Sequence, residues 1–66
     1  MADDKVTNEF LAGLHDLIIM AERNGGKTPW SVNSLALARL ADNHGISARD
    51  ANTALERTWH QTFDPS

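Results

Sequence analysis

The sequence has no cysteine, which excludes disulfides and thiolate zinc sites as staples of the fold. Stability then has to come from helix packing or from a partner chain. Basic residues are also short: six Lys and Arg stand against nine Asp and Glu, a net charge of −3. A bulk electrostatic pull toward nucleic acid is therefore absent. Long apolar runs are missing as well. The longest, Leu17 to Ala21, falls far short of the ~20 residues of a membrane span. The opening Met1-Ala2-Asp3-Asp4-Lys5 carries two acids where a secretory or transit leader would be basic, and no Asn-x-Ser/Thr glycosylation site occurs. The expectation is a soluble protein of the cytoplasm, with no membrane partner.

What is present fills 66 residues. A domain of this size buries only about 60% of its unfolded surface, and a walled catalytic pocket of several hundred Å³ would leave little core. One small non-enzymatic domain is expected, without repeat, low-complexity tract or dividing linker.

Three helical segments separated by two breaks account for nearly all of it, and nothing reads as a strand. From Thr7 onward, Phe10, Leu11, Leu14, Leu17, Ile18 and Ala21 keep the i, i+3, i+4, i+7 spacing of an amphipathic helix. Thr7 or Asn8 can cap its start, and Asn24-Gly25-Gly26 marks its end, where glycine takes the left-handed conformation that closes a helix. The first helix is predicted over 8–24, after a disordered stretch at 1–6. Thr28-Pro29 reads as an N-cap with proline at the first helical position, where its missing N–H costs nothing. Ser31 and Ser34 are alternative starts, with Trp30 packing from the loop. Leu35, Leu37, Ala38, Leu40 and Ala41 carry a second helix, predicted over 29–44, to the stop at Gly45. Ser47 with Asp50 three residues on is a variant capping box. It opens a third helix, predicted over 48–61, with Ala51, Leu55, Trp59 and Phe63 along one side. Asp64-Pro65-Ser66 reads as a stop. The fold class is all-α, a compact three-helix bundle.

The stretch from Leu40 through Gly45-Ile46-Ser47 to Leu55 resembles the helix-turn-helix of bacterial repressors. Two helices crossing over a three- or four-residue turn need a small residue where they touch, here Ala41, and a glycine in the turn, here Gly45. Ile46 supplies an apolar plug and Ser47 a cap. Gly45-Ile46-Ser47, Ala51 and Ala54-Leu55 stand at the spacings usual for that family over 37–57. His44 occupies a place usually apolar, Ala51 one usually larger and branched. No β-hairpin wing comes after Phe63, so the resemblance is to the plain three-helix version. It implies that the third helix is a recognition helix, offering Ser47, Ala48, Arg49, Asn52, Thr53 and Glu56 to a major groove. Arg49 would pair with guanine and Asn52 with adenine, Ser47 and Thr53 would reach phosphates, and Arg39 and Arg57 would flank the backbone. Against this, the segment from residue 28 onward holds three arginines and four carboxylates. A segment so balanced binds phosphate poorly, because affinity rises with each phosphate neutralised.

The first helix also holds more apolar residues than one face can use. With Leu14, Leu17 and Ile18 turned inward, Ile19 and Met20 project. Leu11, Ile19, Met20 and Trp30 are the expected interface residues, in a two-fold homodimer through the first helix or against a protein partner. Two functions are in view. One is a dimeric DNA-binding transcriptional regulator. The other is a bacterial or phage accessory module that binds a protein through a helix-turn-helix-like scaffold.

Other chemistry is not supported. Gly26-Lys27-Thr28 imitates the end of a phosphate-binding loop, but Ala21 stands where its first glycine should be and no strand leads in. His15, His44 and His60 are scattered and without thiolates. Glu56 and His60, one helical turn apart, read as a solvated pair. No Gly-x-Ser-x-Gly elbow occurs. No catalytic residue, metal ligand or cofactor is expected.

Overall fold

A computed structural model describes residues 6–63 of the chain. It contains three helices, α1 (Asn8–Arg23), α2 (Ser34–Asn43) and α3 (Ala48–Phe63), with a single 3-10 turn at Pro29–Ser31 between α1 and α2. No strand occurs among the described residues. Each helix packs against the other two, giving an all-α three-helix bundle. No helix among the described residues is long and apolar enough to cross a membrane.

The core is one cluster drawn from every helix. Phe10, Leu14, Ile18 and Ala21 come from α1, Leu37 and Ala41 from α2, and Ala51, Ala54, Leu55 and Trp59 from α3. Val32 and Ile46 contribute from the two connections. Phe10, Leu14 and Ile18 are fully buried; their spacing puts them on one stripe of α1, which is the stripe the periodicity selects. The rings of Phe10 and His44 meet edge to face, with centroids 5.8 Å apart and planes at 73°. The histidine in this usually apolar place thus acts as an aromatic neighbour to the core.

Both α1 and α2 end in the same way. At the end of α1, Gly26 N donates to Ala21 O (2.9 Å) and Gly25 N to Glu22 O (3.0 Å), with Gly25 at φ +94°. At the end of α2, Ile46 N donates to Ala41 O (2.8 Å) and Gly45 N to Asp42 O (3.1 Å), with Gly45 at φ +65°. These are two Schellman closures, in which a left-handed glycine turns the chain back so that two amides satisfy orphan carbonyls. Ile46, the residue after the second glycine, is buried in the same cluster as Ala41, the apolar contact that usually accompanies the motif.

Two boundaries differ from expectation. The second helix begins not at residue 29 but at Ser34, one of the two alternative starts. Asn33 Oδ1 accepts from both Leu35 N (2.9 Å) and Ala36 N (3.2 Å), whereas Thr28 makes no side-chain cap bond. The Thr28-Pro29 signal starts a turn that stops after Ser31, because Val32 takes an extended conformation (φ −65°, ψ 139°) that buries its side chain. Val6, expected to be disordered, packs against the core cluster, since burying an apolar side chain offsets the entropy of ordering one residue. The remainder of that expectation, residues 1–5, lies outside the described residues, as does the stop at Asp64-Pro65-Ser66. The helix ends otherwise fall close to prediction, with Asn24 as the C-cap of α1 and α3 running on to Phe63, whose ring packs on Trp59 at 4.7 Å.

The glycines carry different constraints, which gives a first prediction. A Cβ on Gly26 would stand 2.5 Å from Ser31 Cβ and 2.8 Å from Ala21 O, while at Gly45 nothing lies within 4 Å. Gly45→Ala therefore bears only the left-handed strain of about 1–2 kcal/mol, whereas Gly26→Ala, at a position without positive φ, bears instead a backbone clash of about 1–3 kcal/mol. In urea denaturation Gly26→Ala should be the less stable variant. The reverse order would show that the connection from α1 to the 3-10 turn yields freely.

Candidate nucleic-acid interface

The α2–α3 connection is four residues long, His44 to Ser47, and every one has a structural task. His44 caps α2, Gly45 makes the left-handed turn, Ile46 is buried, and Ser47 caps α3 by accepting the Asp50 amide on Oγ (3.2 Å). The Ala51 amide also bonds the Ser47 carbonyl (2.9 Å). The turn is therefore locked from both ends and fixes where α3 leaves the bundle.

Ala51, Ala54, Leu55 and Trp59 turn one side of α3 into the core. Apart from Ala48, Gln61 and Phe63 at its ends, what remains outward is Arg49, Asn52, Thr53, Glu56, Arg57 and His60, all exposed. At about 100° per residue these fall on one continuous face. Arg49, Asn52, Thr53 and Arg57 thus share the surface that the resemblance implies, with Ser47 at its N-terminal end. The same face carries Glu56, and Asp50 borders it, so its two arginines are balanced by two carboxylates. Arg39 is exposed on α2 and borders a shallow groove with Ala38, Asp42, Ile46 and Ala48, which places it beside the start of α3.

The hydroxyls are less free than the sequence implies. Thr53 Oγ1 donates to Arg49 O (3.1 Å), so its only proton is committed and the oxygen is left as an acceptor. In this rotamer Thr53 cannot donate to a phosphate; it can accept from a base amino group. Ser47 accepts through Oγ but keeps its proton, so it can still donate. No spacing rule reveals this difference, because both hydroxyls look alike in sequence.

The expected interface residues do not gather on one surface. Leu11 and Met20 lie half a turn apart around α1 at about 3.6 residues per turn. Leu11 lines a groove of about 270 Å³ with Val6, Thr53, Ala54, Arg57 and Thr58 on the α3 side. Met20 lines a groove of about 470 Å³ with Leu17, Ser31, Asn33 and Ala36 on the α2 side. Ile19 is half-buried. Met20 and Trp30 are exposed at 61% and 59%, and Leu35, which the sequence does not single out as an interface residue, at 60%. Only the spacing of Leu35 from Leu37 and Ala41 could have marked it as outward-facing. Of the two tryptophans, Trp59 fills the core and Trp30 does not.

No group of three or more His, Cys, Asp or Glu is placed to hold a metal among the described residues. Comparison with protein families, with characterised proteins and with solved structures finds no match to this chain.

The division between capping and free side chains is measurable. Ser47→Ala should cost about 1 kcal/mol through loss of its cap. Arg49→Ala, Asn52→Ala and Arg57→Ala should each stay within about 0.5 kcal/mol of the parent, as exposed substitutions do. A large loss on truncating any of the latter three in thermal denaturation would mean that it supports the fold.

Proposed function

We propose that the chain is a small helix-turn-helix DNA-binding regulator that acts as a dimer, with α3 entering the major groove. The observation that carries this reading is the outward face of α3. It begins directly after a four-residue turn locked at both ends, and it presents Arg49, Asn52 and Arg57 exposed, with no part in the core. Arg49 and Asn52 have the donor geometry to pair bidentately with guanine and adenine edges. Thr53 serves as an acceptor toward a base amino group, Ser47 donates to phosphate, and Arg39 and Arg57 contact the backbone on either side. Two copies with dimensions of 31 × 27 × 18 Å can present their recognition helices about 34 Å apart, the repeat of successive major grooves. The dimer contact assigned to this arrangement is the flank of α1 bearing Met20, with the exposed Trp30 as a second anchor.

A second reading rests on a separate observation. Met20, Trp30 and Leu35 are large, well-exposed apolar side chains, on a protein with an excess of acidic residues. Large exposed apolar residues are the usual anchors of protein interfaces, and net negative charge does not oppose a protein partner as it opposes DNA. In this reading the same scaffold is a protein-binding module.

Titration of random-sequence duplex DNA with the protein at low and then moderate salt separates the two. The DNA reading expects micromolar binding that weakens steeply with salt as counterions are released. Arg49→Ala should then remove sequence preference, at about 1–3 kcal/mol for a lost bidentate contact. No binding at low salt would eliminate it. Met20→Lys should yield monomers by light scattering, and an unchanged mass would rule out a dimer through that flank.

A further inference from the structure

We infer that Asn24 is a self-modifying site, an asparagine that deamidates by attack of its own backbone, and that the hydrogen bonds closing α1 control its rate. Five asparagines occur in the chain, Asn8, Asn24, Asn33, Asn43 and Asn52, and only Asn24 precedes glycine; the others precede Glu, Ser, His and Thr. The reaction begins when the amide nitrogen of the next residue attacks the asparagine Cγ. A side chain on that next residue hinders the approach, and glycine has none. Nothing stands within 4 Å of a Cβ position on Gly25, and both Asn24 and Gly25 are exposed, so the path to the reacting atoms is open to solvent.

The chemistry balances with water alone. The Gly25 nitrogen bonds to Asn24 Cγ, and the side-chain nitrogen leaves as ammonia, taking up the proton that the Gly25 amide loses. The resulting five-membered imide adds water at either carbonyl. It opens to an ordinary aspartyl chain or to an isoaspartyl chain in which the backbone runs through the side-chain carbon. Nothing is oxidised or reduced.

The folded geometry holds the reaction back. Asn24 sits at φ −86°, ψ 10°, which places the Gly25 nitrogen across the Cα–C bond from Cβ, away from the position that ring closure requires. Rotating ψ to bring it round pulls Gly25 N from Glu22 O and Gly26 N from Ala21 O, the two bonds of the closure. Gly26 is further pinned against Ser31. Attack therefore requires opening of the last turn of α1, a local event that needs no global unfolding. The product opposes reclosure, because either form adds a negative charge at the negative end of the α1 dipole. The isoaspartyl form also lengthens the backbone within the hydrogen-bonded turn.

Incubating the intact protein at mildly alkaline pH and mapping its peptides by mass spectrometry tests this. Asn24 should convert ahead of the other four asparagines. Conversion should be about tenfold or more faster in denaturing urea, as expected for a turn whose opening costs about 1.4 kcal/mol or more. The Gly26→Ala variant, which strains the closure, should convert faster than the parent under native conditions. If Asn43 or Asn52 converts as fast as Asn24, the site assignment is overturned. If urea and Gly26→Ala both leave the Asn24 rate unchanged, the control by the helix closure is overturned.

Discussion

The left-handed closure of a helix by glycine is the constraint on which the rest of the bundle depends. Ala21-Glu22-Arg23-Asn24-Gly25 and Ala41-Asp42-Asn43-His44-Gly45 have matching hydrogen-bond patterns and the same small residue at the receiving carbonyl. Alanine there lets the returning chain lie close, and glycine makes the reversal without a Cβ penalty. The residue after each of these glycines sets the outcome. Gly25 is succeeded by a second glycine that fits against Ser31 and leads into the 3-10 turn. Gly45 is succeeded by Ile46, which drives into the core and brings Ser47 into position to cap α3. One device therefore serves two junctions, one held by close backbone packing of Gly26 against Ser31 and the other by the buried side chain of Ile46.

The short turn has a direct consequence for the outward surface. With Ile46 buried and Ser47 committed to the Asp50 amide, α3 has no freedom to roll about its axis without exposing Ala51 or Leu55. The identity of the face carrying Arg49, Asn52 and Arg57 is thus decided by the small residues beneath it. Ala51 and Ala54 have little volume, so α3 packs close to α1 and α2, and bulk is supplied instead by Leu55, Trp59 and Phe10. A larger residue at position 51 would push the helix outward and separate its N-terminal turn from Ile46.

Much of this architecture was legible in sequence because it depends on periodicity and on glycine. The stripe Phe10, Leu14, Ile18 and the stripe Ala51, Leu55, Trp59 both mark buried faces, and both glycine stops fall where helices end. The start of α2 was legible only as a choice between alternatives, Ser34 among them, because two local signals compete. Thr28-Pro29 is a sound opening for a helix, but Asn33 offers two hydrogen bonds to the amides after it and Val32 gains burial only when extended. Such a choice depends on a tertiary contact that propensity does not contain. The candidate reading face was legible as a face, since whatever a helix does not bury is outward. The committed proton of Thr53 was not, because a threonine bonding back to the preceding turn is decided by rotamer. The interface residues failed to converge for a geometric reason: surplus apolar side chains on one helix need not share a side, and Leu11 and Met20 flank α1 on opposite edges.

The electrostatics of the α3 face narrow what any DNA contact there would have to be. Arg49 and Arg57 are offset by Glu56 and Asp50 within the same few turns, so the face supplies no net long-range attraction, and the chain as a whole repels a polyanion. Binding through this surface would have to draw its energy from short-range pairing, with Arg49 and Asn52 making geometric contacts while the acidic neighbours reject loosely held phosphate. Such a surface would hold non-specific DNA no more tightly than micromolar at low salt and be selective in proportion, because the carboxylates penalise the registers in which the arginines are not paired. Association would be slow without steering. A dimer would then have a purpose beyond symmetry, since two weak and selective halves joined at a fixed separation gain affinity by effective concentration and add no charge. The exposed apolar residues Met20, Trp30 and Leu35, of which Met20 lies on the edge of α1 opposite Leu11, are the candidates from which that joining surface would be built.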